Sequence, residues 1–252
     1  MTSLELPRAI DVFSAPAENR LILERAQLFR NLGKEDIDPL LNAFSIREWT
    51  SGAVIYAQGA FDHHELFVLL RGRVSITRRS NEGRGRSELI GPGETFGELS
   101  VLDPGPHERT ATTLTAARVA SLDRASYINW ALARPHVAER LLRVLARRLR
   151  RTDDEVLDLL FVDVGARLAK AIIDMASRFG VSRPRGVEVD HALSQQQLAE
   201  MVGTSRETLN KQLNAFVDRG WLSIGRGRFV VRDPARLAAR ATVGEAPPRI
   251  SH

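Results

Sequence analysis

Six residues between Gly97 and Thr110 have the types and spacing to hold a small anion. Gly97 heads the block Gly97-Glu98-Leu99-Ser100. A glycine at the start of a short helix lets backbone N–H groups approach negative charge, which the helix terminus itself favours. Arg109 supplies a planar, permanently charged donor set suited to phosphate, and Thr110 adds a hydroxyl. Glu98 needs another explanation, because a carboxylate repels phosphate. It can accept from a sugar hydroxyl or pair with Arg109. Phosphate, sugar and an apolar enclosure together describe a nucleotide with few charges.

A second set lies near the C-terminus. Ser194 with Gln197 and Thr204 with Glu207 read as two capping boxes, so two helices begin ten residues apart, with Gly203 making the bend between them. On the second helix Leu209, Leu213 and Phe216 share one face, and Arg206, Glu207, Asn210, Lys211 and Asn214 fan over the other. Arg or Lys can give paired donors to guanine, Asn can read adenine and Glu can accept from cytosine. An ordinary amphipathic surface helix has a similar composition; the tight spacing and basic surroundings favour double-stranded DNA. The runs 221–224 and 228–231 flank Gly225-Arg226-Gly227, a wing whose arginine tip suits phosphate. From Gly165 onward there are 14 Lys and Arg against 8 Asp and Glu, whereas the preceding part has 22 against 23, so the positive excess sits where a polyanion would be met.

These sets need elements to position them. Leu142, Leu145, Leu149, Thr152, Val156 and Leu159 step by three and four, the seam of a helix that packs along a twin. Thr152 is a hydroxyl inside that seam, followed by acidic Asp153; such a polar group sets register or meets a ligand. Short apolar runs at 54–56, 66–70, 74–77, 87–90 and 118–122, with glycine at most corners, indicate a barrel or β-roll. The basic loop Arg78 to Arg86 reads as a solvated hairpin tip, and His63 with His64 as a solvated turn rather than a metal pair.

With 252 residues the chain exceeds the usual size of one domain. The expected order is a flexible N-terminal arm 1–20, a ligand-binding domain 21–135, a dimerisation helix 136–163, a winged helix-turn-helix domain 164–240 and a disordered tail 241–252. Zero cysteines exclude disulfides, thiolate nucleophiles and cysteine metal sites. No apolar run reaches the roughly 18 residues of a membrane span, and the start lacks a signal pattern, so the expectation is a cytoplasmic protein without a membrane partner. No nucleophile–base pair, metal cluster or P-loop stands out, which argues against an enzyme.

The glycine run Gly52, Gly59, Gly72 and Gly93, the Phe96 to Ser100 block, Arg109-Thr110-Ala111, the long helix and Gly203-Thr204-Ser205-Arg206-Glu207-Thr208 together resemble the cyclic AMP receptor protein (CRP/FNR) family over about residues 20 to 240. The resemblance implies an α+β fold: a cyclic-nucleotide-binding β-roll, jelly-roll-like, then a long dimerisation helix and a C-terminal winged helix-turn-helix. It implies backbone contacts to the nucleotide from Gly97, Leu99 and Ser100. Glu98 would meet the ribose 2′-hydroxyl, Arg109 and Thr110 the cyclic phosphate, and Thr152 and Asp153 the adenine. Arg206, Glu207, Asn210 and Lys211 would face base edges, and Thr204, Ser205 and Arg226 the backbone. The implied protein is a homodimeric transcription regulator that takes cAMP as allosteric ligand, binds a near-palindromic DNA site and meets RNA polymerase. Two departures, the His107-Glu108 insertion before Arg109 and the acidic Asp153, leave a rival: a regulator that binds DNA without cAMP, or answers cGMP or c-di-GMP.

Overall fold

In the computed structural model the chain runs through β1 (Ala9–Asp11), α1 (Ala17–Arg25), α2 (Lys34–Leu41), β2 (Ser45–Trp49), β3 (Val54–Tyr56), β4 (Glu65–Arg71), β5 (Val74–Arg79), β6 (Gly85–Ile90), β7 (Thr95–Phe96), α3 (Glu98–Leu102), β8 (Thr110–Thr113), β9 (Ala117–Asp123), α4 (Arg124–Leu132) and α5 (Pro135–Phe161). It continues through α6 (Val164–Phe179), β10 (Val181–Arg183), β11 (Gly186–Asp190), α7 (Gln195–Val202), α8 (Arg206–Asp218), β12 (Leu222–Gly225), β13 (Arg228–Val231) and α9 (Pro234–Thr242). The structure describes residues 9–11, 17–26, 28–30, 32–61, 64–82 and 85–242. Contacts divide the chain into two units, 1–78 with 89–146, and 79–88 with 147–252.

The first unit is the expected β-roll. One sheet has the order β1-β2-β9-β4-β7 and the other β3-β8-β5-β6. Alternation along β4 shows how the layers arise. Leu66, Val68 and Leu70 point into a core shared with helices, while Phe67 and Leu69 point into the roll interior. Side chains two apart share a face, so an unbroken apolar run marks a strand buried on both sides. β9 repeats the pattern, with Ala120 and Leu122 on the helical side and Ala117 and Val119 inside.

On the helical side Leu23, Ile37, Leu40, Tyr127 and Trp130 gather with Val137, Leu141 and Val144 of α5. Trp130 Nε1 donates to Asp36 O at 2.6 Å, and His136 Nε2 lies 2.7 Å from the Asp36 carboxylate, fastening the start of α5 to α2. Beyond this anchor the helix turns polar and then apolar toward solvent. Leu142, Leu149, Leu160 and Phe161 are 66%, 64%, 68% and 64% exposed. The exposed set includes the expected seam residues Leu142, Leu149, Val156 and Leu159, together with Leu157, Leu160 and Phe161, which the three-four pattern had not included.

The second unit holds α6 to α9 and the sheet β10-β11-β13-β12. Asp163 caps α6, accepting from Gly165 N at 2.8 Å and Ala166 N at 3.2 Å, and pairs with Arg240 of α9. Arg167 donates to Val162 O, Val202 O and Gly203 O, satisfying carbonyls just beyond the end of α5 and at the end of α7 with a single guanidinium.

Several boundaries shift. The arm expected to be loose over 1–20 contributes β1, whose residues 9–11 pair with Arg47, Ile46 and Ser45, and α1 opens at Ala17 rather than Leu21. α5 begins one residue early, at Pro135, because proline suits a first helical turn whose N–H has no intrahelical partner. α9 runs to Thr242, into the span expected as tail; 1–8, 12–16 and 243–252 lie outside the described residues, as does His63. Arg78 to Glu82 and Arg86 of the hairpin tip are exposed, as expected, and beside the tip, within the second unit, Ser87 Oγ donates at 2.7 Å to the buried carboxylate of Glu200, with Arg79 3.8 Å from it. A carboxylate held in α7 attracts this basic loop. His64, expected in a solvated turn, is half-buried, edge-on to Phe61 at 5.4 Å.

Burial alone would raise the Asp163 carboxyl, but Arg240 and the α6 amides outweigh it and hold it below its ordinary 3.8. Its stabilisation is therefore complete above 3.8 and lost as pH falls through the lower folded value. Arg240→Ala should destabilise the second unit at neutral pH, with the difference from wild type shrinking as pH falls below 3.8. Thermal melts across pH check this, and a difference independent of pH would contradict it.

Candidate functional site

The first candidate site is built at the corner after β7. Gly97 sits in the left-handed region at φ 82°, and a Cβ there would stand 2.7 Å from Glu65 O and 2.8 Å from the Phe67 ring. Only glycine fits. α3 follows with no side-chain cap, so the amides of its first turn are not claimed by a capping side chain. Ser100 is buried and its Oγ donates to Gly97 O at 3.0 Å, which fixes the turn from inside. Glu98 is half-buried and Leu99 exposed.

Arg109 and Thr110 approach through the segment that opens β8. Thr110 Oγ1 accepts from Gln58 N at 2.9 Å, so its own proton is directed elsewhere. A wall of rings ties the two segments together: Phe96 stacks on Phe67 at 5.1 Å, Phe67 on Tyr56 at 5.7 Å, and Tyr56 on His107 at 4.2 Å. The stack runs from the residue before Gly97 to two residues before Arg109. It also takes in His107, the first of the two residues between Pro106 and Arg109. His107 is buried, and its backbone pairs with the 59–60 loop, donating to Ala60 O at 2.8 Å and accepting from Gly59 N at 2.7 Å. Glu108 turns outward and lies 3.4 Å from Arg78.

Thr152 and Asp153 belong to the second unit, on the exposed part of α5. The Thr152 hydroxyl donates to Arg148 O at 3.1 Å, so what it can offer a ligand is its lone pairs.

The second candidate site is α7, the turn and α8. Ser194 and Gln197 form the expected capping box, and Gly203 ends α7 at φ 70°. α8, however, is capped by Ser205 rather than Thr204: Thr208 N donates to Ser205 Oγ at 3.1 Å, and Ser205 Oγ donates to Thr208 Oγ1 at 2.9 Å. Thr204 N is instead spent on Ala199 O at 3.0 Å in closing the turn, which moves the cap one residue on and leaves the Thr204–Glu207 box unformed. Leu209, Leu213 and Phe216 are buried, whereas Arg206, Glu207, Lys211 and Asn214 are exposed and Asn210 half-buried. β12 and β13 pair Gly225 with Arg228, leaving Arg226 exposed at the tip with Gly227. One residue near this face escaped the pattern reading. Gln195, the first of three consecutive glutamines, accepts from Arg206 Nε at 3.1 Å and Asn210 Nδ2 at 3.4 Å; only its place beside a cap hinted at a role.

Comparisons with known proteins bear on both sites. The pattern described as a cyclic nucleotide-binding domain matches residues 46–132, and that of a Crp-like helix-turn-helix domain residues 166–240. A CRP-like cAMP-activated global transcriptional regulator of Mycobacterium tuberculosis is 40% identical over 221 residues, 87% of this chain and 98% of that protein. The cyclic AMP receptor protein of Thermus thermophilus is 32% identical over 216 residues, 85% of this chain and 96% of its own. Among solved structures, FixK2 from Bradyrhizobium japonicum is alike with a TM-score of 0.69 at 21% identity, over 80% of this chain and 98% of that one. The c-di-GMP responsive regulator CLP of Xanthomonas campestris gives 0.66 at 22%, over 79% and 99%. At these identities the two structures speak for the fold.

The observed cap makes a local prediction. Ser205→Ala should cost about 1 kcal/mol at the start of α8, and Thr204→Ala less than about 0.5 kcal/mol. Amide hydrogen exchange in the first turn of α8 distinguishes the two, and the reverse order would contradict the assignment.

Proposed function

The chain belongs to the CRP/FNR family of transcription regulators, and from that premise we propose that it is a homodimer whose hold on a near-palindromic DNA site is controlled by a cyclic nucleotide, cyclic AMP. The observation that carries the reading is the ring stack joining the Gly97 corner to the Arg109 segment, in a chain that also has a winged helix-turn-helix. Charge supports the ligand. One arginine, Arg109, answers the single negative charge of a cyclic nucleoside monophosphate, with Thr110 donating beside it. Glu98 accepts from the ribose 2′-hydroxyl, and the backbones of Gly97, Leu99 and Ser100 line the sugar and phosphate. Thr152, its proton committed to Arg148 O, and Asp153, a pure acceptor, both suit the exocyclic amino group of adenine.

Self-association is supported by the uncovered apolar face of α5. In such a dimer the two α8 helices would enter successive major grooves about 34 Å apart. Arg206, Glu207, Asn210 and Lys211 then read base edges, and Thr204, Ser205 and Arg226 hold phosphates. The work of the protein is ligand-controlled binding rather than catalysis, in the cytoplasm, beside RNA polymerase at promoters.

Asp153 favours a second reading, cyclic GMP, because a carboxylate can accept from both N1–H and N2–H of guanine. Calorimetry with each nucleotide separates them. Cyclic AMP should bind, and Arg109→Ala should abolish the heat while leaving the dimer mass unchanged; heat with cyclic GMP alone would exchange the readings. Arg206→Ala should lower discrimination at one base pair per half-site by about 1–3 kcal/mol, whereas Arg226→Ala should weaken all sequences alike. Competition between specific and random duplexes measures both, and equal losses for the two variants would refute the division of roles.

A further inference from the structure

We infer that Gln195 is a positioning residue for base recognition, a shared acceptor on α7 that fixes Arg206 and Asn210 of α8 as one recognition unit. The inference rests on the reading of α8 as the base-contacting helix. The three glutamines that open α7 have three different tasks. Gln197 closes the capping box with Ser194, and Gln196 Nε2 donates to Glu200 at 3.1 Å. Gln195 alone of the three turns toward α8, where its amide oxygen takes Arg206 Nε at 3.1 Å and Asn210 Nδ2 at 3.4 Å.

An amide oxygen has two lone pairs, so one Gln195 serves both donors. The two donors are four apart on α8 and therefore stack one turn above the other. Binding Arg206 through Nε leaves the terminal Nη pair as the fork that matches O6 and N7 of guanine. Asn210, giving one Nδ2 hydrogen to Gln195, retains the second hydrogen and its Oδ1, the pair that adenine N7 and N6 require. Arg206 is exposed and would otherwise sample many rotamers. Holding it before DNA arrives removes part of the ordering cost from the binding step. Because one acceptor holds both side chains, preferences at the two base pairs they face should rise and fall together.

Selection from a randomised duplex pool by the full-length protein, with and without cyclic AMP, tests this. The wild type should return a preferred base pair at the positions facing Arg206 and Asn210. Gln195→Met keeps the length and removes the acceptor; it should cut the preference at both positions together, by about three- to tenfold, with affinity for random DNA unchanged. Gln195→Glu retains an acceptor and should keep the preferred bases even if affinity falls overall. If Gln195→Met weakens every sequence alike, Gln195 is a phosphate contact and the inference is overturned. If Arg206→Ala changes the selected sequence but Gln195→Met does not, the inference fails while the reading of α8 stands. If Arg206→Ala itself leaves the sequence unchanged, the reading of α8 fails and the inference falls with it.

Discussion

The apolar side of α5 is the constraint on which the rest depends. Val137, Leu141 and Val144 are spent on the chain's own core, while Leu142, Leu149, Val156, Leu157, Leu160 and Phe161 are left in water. Burying one such side chain is worth about 1.5–3 kcal/mol, so a row of them is a standing drive toward association. The arginines of the first half and the acids of the second keep the remaining faces solvated. Thr152 interrupts the row without leaving its donor unsatisfied, because its hydroxyl bonds back to Arg148 O. A helix made this way is covered on one side by its own unit and, in the proposed dimer, on the other by its twin.

The β-roll contributes a rigid corner. Gly97 is demanded by a positive φ with the Phe67 ring and the Glu65 carbonyl close by, and Ser100 locks the same turn. The stack of Phe96, Phe67, Tyr56 and His107 then couples this corner to the strand start that carries Arg109 and Thr110. Aromatic contacts of this kind keep polar groups in place without claiming their hydrogen bonds. Of the two residues between Pro106 and Arg109, His107 joins the stack and Glu108 faces solvent.

Much of this was legible in the residues. Period-two burial in β4 and β9, the capping box at Ser194 and the amphipathic α8 all follow from local rules. What escaped was tertiary. Thr204 and Ser205 are equally good caps by type, and only the demand of the Gly203 turn on Thr204 N decides between them. The reach of Ser87 and Arg79 to Glu200 escaped because that carboxylate is more than a hundred residues away. β1 pairs through its backbone with β2, which no side-chain pattern announces. Gln195 is one glutamine among three, and its role emerges only when α8 folds against α7.

In the proposed dimer one small molecule in the β-roll biases the DNA-reading unit, which a ligand can do only by its different affinity for two arrangements of that dimer. Titrating a near-palindromic duplex with the protein, with and without saturating cyclic AMP, measures that difference directly. Two separated binding curves are expected, merging when Arg109 is replaced by alanine. Coincident curves for the native protein, with cyclic AMP bound, would contradict that bias.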